Sequence, residues 1–280
     1  MKKFFLSFFL LFTALLLKNN GVIAQGHELV KKWQTDSVLK VPESVLFDAD
    51  GPVLYFSNIG GAPDGKNGKG SIGKLGLDGK IIQLDWVAGL NGPKGLGKFH
   101  NTLYAADVDE LVVIDIPTSK IIKKIPVEGA QFLNDVSVDA KGLIYVSDTK
   151  TGKVHLVDNG KVSTYVEGIE GANGVLAVNG SLYVLGSGNL WKVSADKKLT
   201  KLVSGMDPST DGIEKVKDDE FIVSCWNGII YYVHSDGSKQ TLLDTRTEKS
   251  NTADIGYDPK KRVVYVPTFF KKSVAAYELK

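Results

Sequence analysis

The stretch FLNDVSVDAKGLIYVSD, residues 132–148, decides the fold. Two short runs of alternating apolar and polar residues flank an Asp-Ala-Lys-Gly turn, which is the pattern of a β-hairpin. Asn134 and Asp135 stand at the entrance to the first run, where neither is needed for the turn. The hairpin returns as SVLFDADGPVLYFSN, GLGKFHNTLYAAD, GVLAVNGSLYVLG, GIEKVKDDEFIVSC and DIGYDPKKRVVYVPT. A third strand such as GKVHLVD or GIIYYVHS usually follows, and then a fourth such as KIIKKIPV or KVSTYVE.

One residue anchors each copy just before its first strand: Glu43, Lys94, Asn134, Asn173, Asp211 and Ala253. Their spacings are 51, 40, 39, 38 and 42, and the long first interval contains the insertion GGAPDGKNGKG. Six units of four strands at a period of about 40 residues predict an all-β, six-bladed β-propeller. The last copy stops at its third strand, SVAAYELK, whereas ELVKKWQ at residues 28–34 is an alternating run with no hairpin partner. Pairing the two would close the ring and remove an open sheet edge, a liability in any sheet protein.

Residues 1–24 read as a signal peptide. Lys2 and Lys3 precede an apolar run from Phe4 to Leu17, shorter than the roughly 20 residues that span a bilayer. Val22-Ile23-Ala24 offers a cleavage site, and no cysteine lies beside it to carry a lipid. Residues 25–280 then form one propeller domain, exported to a periplasmic or extracellular space, with no stable membrane insertion after cleavage. Losing three lysines leaves that domain near neutrality, and no basic stripe marks it as a nucleic-acid binder. The lone Cys225 excludes an internal disulfide and reads as a small buried apolar residue. The sequence leaves the oligomeric state open.

In a propeller the first strand of each blade lines the central channel, so the six anchors should converge at one mouth. Two carboxylates and two amide oxygens among them are hard donors of the kind that suit Ca²⁺. Neither thiolate nor histidine occupies an anchor, which argues against structural zinc. The competing explanation is local: Asn173-Gly174 and Asp211-Gly212 are ordinary turn formers. Their shared phase in the repeat favours a divalent-metal site.

The ordered set Pro42-Glu43-Ser44, Asn134-Asp135, Asn173-Gly174 and Asp211-Gly212, followed by VSCWNG, resembles the senescence-marker-protein (regucalcin)/gluconolactonase family along residues 25–280. The resemblance implies a six-bladed propeller that binds one divalent cation, calcium foremost, and hydrolyses a small-molecule lactone or related ester. It implies Glu43, Asn173 and Asp211 as ligands, with Asn134 touching the metal, its water or the substrate. Asp211 would double as the catalytic base. The chain departs from the family at Val45, where many members carry Pro or Gly. It departs again at Phe132, where sugar-lactone members carry arginine. Arginine forks onto hydroxyls or a carboxylate and phenylalanine does not, so Phe132 favours a less polar substrate. Lys94 is an uncommon anchor, suited to an anionic group or to snorkelling at the channel mouth.

Asn58, Asp107 and Asp148 end second strands on the anchor face, as supports for the site or as loop caps. His100, His155 and His234 fall outside the anchor phase and read as surface or sheet residues. Trp226 is placed to wall the pocket or to pack in the core. The insertion lacks the acidic spacing of an EF-hand and should rim the entrance. Two functions follow: a metal-dependent hydrolase, or a non-catalytic propeller serving as a ligand- or protein-binding platform.

The leader reading predicts an exported chain beginning at Gln25. Intact-mass measurement of the secreted protein tests it, and retention of Met1 to Ala24 would refute it.

Overall fold

Each repeat becomes one four-stranded antiparallel sheet, and the computed structural model sets six such sheets as the blades of a propeller. The structure describes residue 1 and residues 26–280, so the expected leader and the start at Gln25 lie outside the described residues. The innermost strands are Pro42–Asp48, Pro93–Phe99, Leu133–Val138, Ala172–Val178, Thr210–Lys217 and Gly256–Asp258. Among the described residues the only helical element is a 3-10 turn, Phe269–Lys271.

The core is divided among the seams between blades. Ile72 and Trp86 of blade one pack with Leu103 and Val112 of blade two, and Leu111 and Ile125 of blade two with Val136 and Val146 of blade three. The same arrangement recurs at each later seam. The last seam joins Tyr265, Val274 and Ala276 of blade six to Leu54, Phe56 and Leu75 of blade one. Alternation along each strand therefore supplies two apolar faces per blade, one for each neighbour.

Strand Leu29–Gln34 is the outermost strand of blade six and pairs antiparallel with Val274–Leu279, which closes the ring as expected. It also grips both neighbouring blades. His27 exchanges two hydrogen bonds with the Gln240 side chain of blade five and stacks on Tyr232 at 3.8 Å between ring centroids. Trp33 packs at the last seam and donates its indole N–H to the Leu77 carbonyl of blade one at 3.0 Å.

At five of the six anchors the sequence expectation is refined. Glu43, Lys94, Asn134, Asn173 and Asp211 are each the second residue of the innermost strand, not the residue before it. Each begins a bulge. Pro42 pairs with Asn58 and Val45 with Phe56, so Glu43 and Ser44 together face the single residue Ser57. The same two-against-one register occurs at residues 94–95, 134–135, 173–174 and 211–212. Bulges bend a strand and re-aim side chains beside functional sites, and here they free the anchors from the sheet faces. Three serines on second strands cap the loosened backbone. Ser57, Ser147 and Ser224 accept the N–H groups of Ser44, Asp135 and Gly212, each at 2.9 Å.

The turn-former explanation of Asn173-Gly174 and Asp211-Gly212 is overturned by this register. Both dipeptides lie inside strands, and neither glycine has a positive φ. Their glycines answer a packing demand. A Cβ on Gly174 would lie 2.2 Å from the Asp211 carbonyl oxygen, and one on Gly212 would lie 2.5 Å from the Ile255 nitrogen. Only a residue without a side chain lets consecutive blades approach that closely at the axis.

Removing residues 25–36 strips the outer strand from blade six and the clamps on blades five and one. Loss of the Leu29 and Trp33 packing should lower the melting temperature by about 10 °C or more. The bared Val274–Leu279 edge should also promote association. Calorimetry and light scattering of the truncated chain test this; a monomer melting with the longer chain would refute closure.

Candidate functional site

The anchors do converge. Glu43, Lys94, Phe132, Asn134, Asn173 and Asp211 all line one cavity of about 420 Å³ at a single mouth of the channel. That volume falls within the range of small-molecule sites. Ala253, the sixth anchor, contributes no polar atom and packs with Ile59 and Phe269 in the adjoining apolar wall.

Loops entering the innermost strands are clipped by the residues that end the second strands. The Asp107 carboxylate accepts the N–H groups of Asn91 and Gly92, that of Asp148 accepts those of Gln131 and Phe132, and Asn58 Oδ1 accepts that of Lys40. Asn58, Asp107 and Asp148 are therefore loop caps whose effect is to fix the approach to Glu43, Lys94 and Asn134. His155, buried in a third strand, stands 3.8 Å from Asp148. His234 stacks near His27 and Tyr232, away from the cavity.

The oxygen-bearing anchors are partly orientated by each other. Asn173 Nδ2 donates to Asp211 Oδ1 at 2.9 Å, which turns Asn173 Oδ1 the other way. Asn134 Nδ2 donates to Thr149 Oγ1 at 3.0 Å, and the Thr149 hydroxyl donates in turn to the Ala172 carbonyl at 2.8 Å. Two buried oxygens at this mouth have no hydrogen-bond partner: Glu43 Oε2 and Asn173 Oδ1. A buried polar atom left unpaired costs about 1–3 kcal/mol, so two in one cavity call for a partner.

Lys94 is almost wholly buried, donates to the Gly92 carbonyl at 3.1 Å and lies 4.3 Å from the centre of the Phe132 ring. Burial lowers its pKa, while the carboxylate of Glu43 opposes that shift. Burial also raises the pKa of Glu43, and Asp211 and Asp254 add to the effect. Asp211 is raised by burial and by Asp254, against the hydrogen bond from Asn173. Titratable groups perturbed by burial and by like charge in a cavity mark a candidate functional site.

Deeper in the channel lie carboxyls that sequence reasoning did not place. Asp135 accepts the Val175 N–H of the next blade at 2.8 Å, and Ser44 donates to Asp254 at 2.5 Å. Together with Glu214 they line a second cavity at the opposite end, about 400 Å³ in volume, whose rim includes Lys98 and His100. Burial pushes Asp254 up to about 7, and burial with Asp254 pushes Glu214 up to about 8. The signal existed in the sequence: Asp135 and Asp254 occupy the same phase, one residue past an anchor. Of the aromatic wall of the first cavity, the sequence marked only Trp226, with core packing as its alternative. Trp226 does wall the pocket, joined by Phe269 and Phe270 of blade six, and Pro63 of the blade-one insertion reaches the rim. Cys225 is buried, its thiol pushed upward by burial, as a structural residue.

Among the described residues no group of three or more His, Cys, Asp or Glu side chains is arranged to hold a metal ion. A cation at the anchor mouth would depend on amide oxygens beside the two carboxylates. The donor set fits one on that basis: Glu43, Asp211, Asn173 and Asn134 present hard oxygens, and the two unpartnered atoms belong to this set.

No family profile matches the sequence, and no curated protein sequence matches it. Solved structures share its architecture. An X-ray structure provisionally assigned as a gluconolactonase aligns with a TM-score of 0.66 at 16% identity, covering 91% of this chain and 93% of that one. A chain from the crystal structure of the nidogen/laminin complex aligns with a TM-score of 0.63 at 16% identity, covering 78% of this chain and 84% of the other. At that identity the likeness is one of fold. The chain is a six-bladed β-propeller with a carboxylate- and amide-lined cavity at one mouth.

The inner carboxyls set a pH dependence. Glu214 binds its proton more tightly folded than unfolded, with about 8 against an ordinary 4.5, so its contribution to stability falls as pH rises through that interval. In chelator-treated protein, Glu214→Gln should therefore stabilise more at about pH 8 than at about pH 5.5. Denaturant titrations at the two pH values test this; an identical effect at both would show that Glu214 does not titrate there.

Proposed function

We propose that the protein is an exported, divalent-metal-dependent hydrolase of lactones or related esters, with calcium as the ion and a small-molecule ester as the substrate. The observation that carries this reading is the pair of buried, unpartnered oxygens, Glu43 Oε2 and Asn173 Oδ1, in the cavity that also holds Asp211 and Asn134. The fold likeness to a structure provisionally assigned as a gluconolactonase supports it. Glu43, Asn173 and Asp211 would hold the ion, with Asn134 beside it. When bound, the ion would polarise the substrate carbonyl and stabilise the charge that develops on its oxygen.

The remaining work falls to side chains of this chain. Asn173 fixes Asp211 through Oδ1, which leaves Oδ2 to take a proton from water. The water oxygen bonds to the carbonyl carbon, the bond from that carbon to the ring oxygen breaks, and the proton returns to the departing alkoxide. The product is the open hydroxy acid. Asn134, held by Thr149, presents its amide oxygen to the water or substrate. Pro63, Ile59 and the aromatic wall limit the access of bulk water.

One observation favours the platform reading. The Lys94 ammonium already offers Glu43 a neighbouring positive charge, so the mouth is partly neutralised without a metal.

Calcium at a hundredfold excess over its Kd should stabilise the dialysed protein by about 2.7 kcal/mol. Chelation should lower the melting temperature and abolish lactonase activity together. Asp211→Asn keeps an oxygen ligand and loses the base, so turnover should fall by about 100-fold or more while calcium affinity falls less. Asn134→Ala should chiefly reduce kcat. Absence of any thermal shift with Ca²⁺, Mg²⁺, Mn²⁺ or Zn²⁺ would leave the binding platform as the function.

A further inference from the structure

The cavity is chemically two-sided. Oxygen donors of blades one, three, four and five occupy its floor, while Trp226, Phe269 and Phe270 form a wall. The three rings meet edge to face, with centroid separations of 5.5 Å, 5.9 Å and 4.8 Å and interplanar angles of 80°, 79° and 88°. Phe270 is 62% exposed at the rim, although a phenylalanine gains nothing from water.

The turn that presents Phe269 and Phe270 is strained. Phe269 has a φ of 45° and Lys272 a φ of 57°, a conformation costly for a bulky side chain. Thr268 and Ser273 pin its base by a backbone hydrogen bond and by the Thr268 hydroxyl, at 2.9 Å and 2.8 Å. Strain held by such a base, at a cavity mouth, is the pattern of a ligand clamp.

Several polar side chains in the wall are already engaged. Thr149 is committed to Asn134 and the Ala172 carbonyl, Ser209 donates to Asp207, Thr210 accepts from Gly188, and Lys94 donates to Gly92 and covers Phe132. With the anchor oxygens taken up by a cation, hydroxyls of a polyhydroxylated ligand lying against Trp226, Phe269 and Phe270 would face rings that offer them no conventional acceptor, at a cost for each one. Phe132 belongs to blade three, which faces blade six across a six-membered ring, and Lys94 and Lys150 lie against its ring, so the open aromatic surface is on one side of the cavity.

We infer that the cavity takes a lactone or ester carrying a planar apolar group, an aryl ring above all, seated on Trp226, Phe269 and Phe270, and that it discriminates against sugar lactones. The ester part of this statement rests on the hydrolase reading; the aromatic seat does not. The rings supply edge and face contacts to a flat ligand, and the donor floor lies beneath its carbonyl.

Two measurements on the full protein test the inference separately from the hydrolase reading. With calcium present, kcat/KM for dihydrocoumarin should exceed that for glucono-1,5-lactone by about 100-fold, and Phe270→Ala should cut this ratio by about tenfold. Calorimetry with indole-3-acetamide, a planar amide without an ester bond, should detect binding that Phe270→Ala and Trp226→Leu each weaken by about tenfold. Preference for glucono-1,5-lactone, or indole-3-acetamide binding that is absent or indifferent to both substitutions, overturns the inference. Binding that responds to both substitutions, with no lactone hydrolysed, supports the aromatic seat and sinks the hydrolase reading alone.

Discussion

The molecule depends on a backbone irregularity repeated five times. Two residues of an innermost strand oppose one residue of its neighbour, so the ladder gives up a pair of positions at the channel mouth. Without the extra residue, an anchor would project from one sheet face into the apolar seam between blades. A carboxylate or ammonium there would meet the desolvation that excludes unpaired charge from cores. With it, the first residue of each pair faces one mouth and the second faces the channel interior. At three of the five, a serine accepts the freed N–H group, which lets the irregularity persist there without an orphaned donor.

That geometry explains how one propeller carries two chemically distinct ends. The first bulge residues collect Glu43, Lys94, Asn134, Asn173 and Asp211 around one cavity. The second include Asp135, which joins Asp254 of the unbulged sixth blade toward the other, with glycine at 95, 174 and 212 where adjacent blades touch. Burial raises the pKa of five carboxyls along one channel, and like charge adds to it for all but Asp254, so their charge depends on a cation, a proton or a neighbouring ammonium. Lys94 is the ammonium already built into the chain.

The propeller and the anchor ring were legible because each repeat restates the same alternation, and a phase shared by several copies stands out against composition. Glu43 and Asp211, far apart in sequence, meet in one cavity for that reason. The bulges were not legible: Asn-Gly and Asp-Gly have the same appearance in a turn and in a strand that must let a neighbouring backbone pass. Asp254 was hidden by its own anchor, since Ala253 carries no chemistry to draw attention to the position after it. Phe269 and Phe270 belong to a loop found in one blade only, and a feature that does not repeat cannot be recognised by its repetition. The closing strand was legible through an absence elsewhere, a last repeat one strand short.

The manner of closure also governs the order in which the chain can fold. Segment 29–34 is the first of the described strands to be synthesised, yet its only ladder partner is the last, Val274–Leu279. Blades one to five can each form from contiguous residues as they emerge, but the sixth must await the synthesis of Val274–Leu279 and then close a loop of about 240 residues or more. Contacts of such long sequence separation form late and slowly. Until then the Trp33 and His27 clamps are open, and two seams remain unsealed. The ring is therefore sealed only once Val274–Leu279 is available, and a chain interrupted before residue 274 has no route to it.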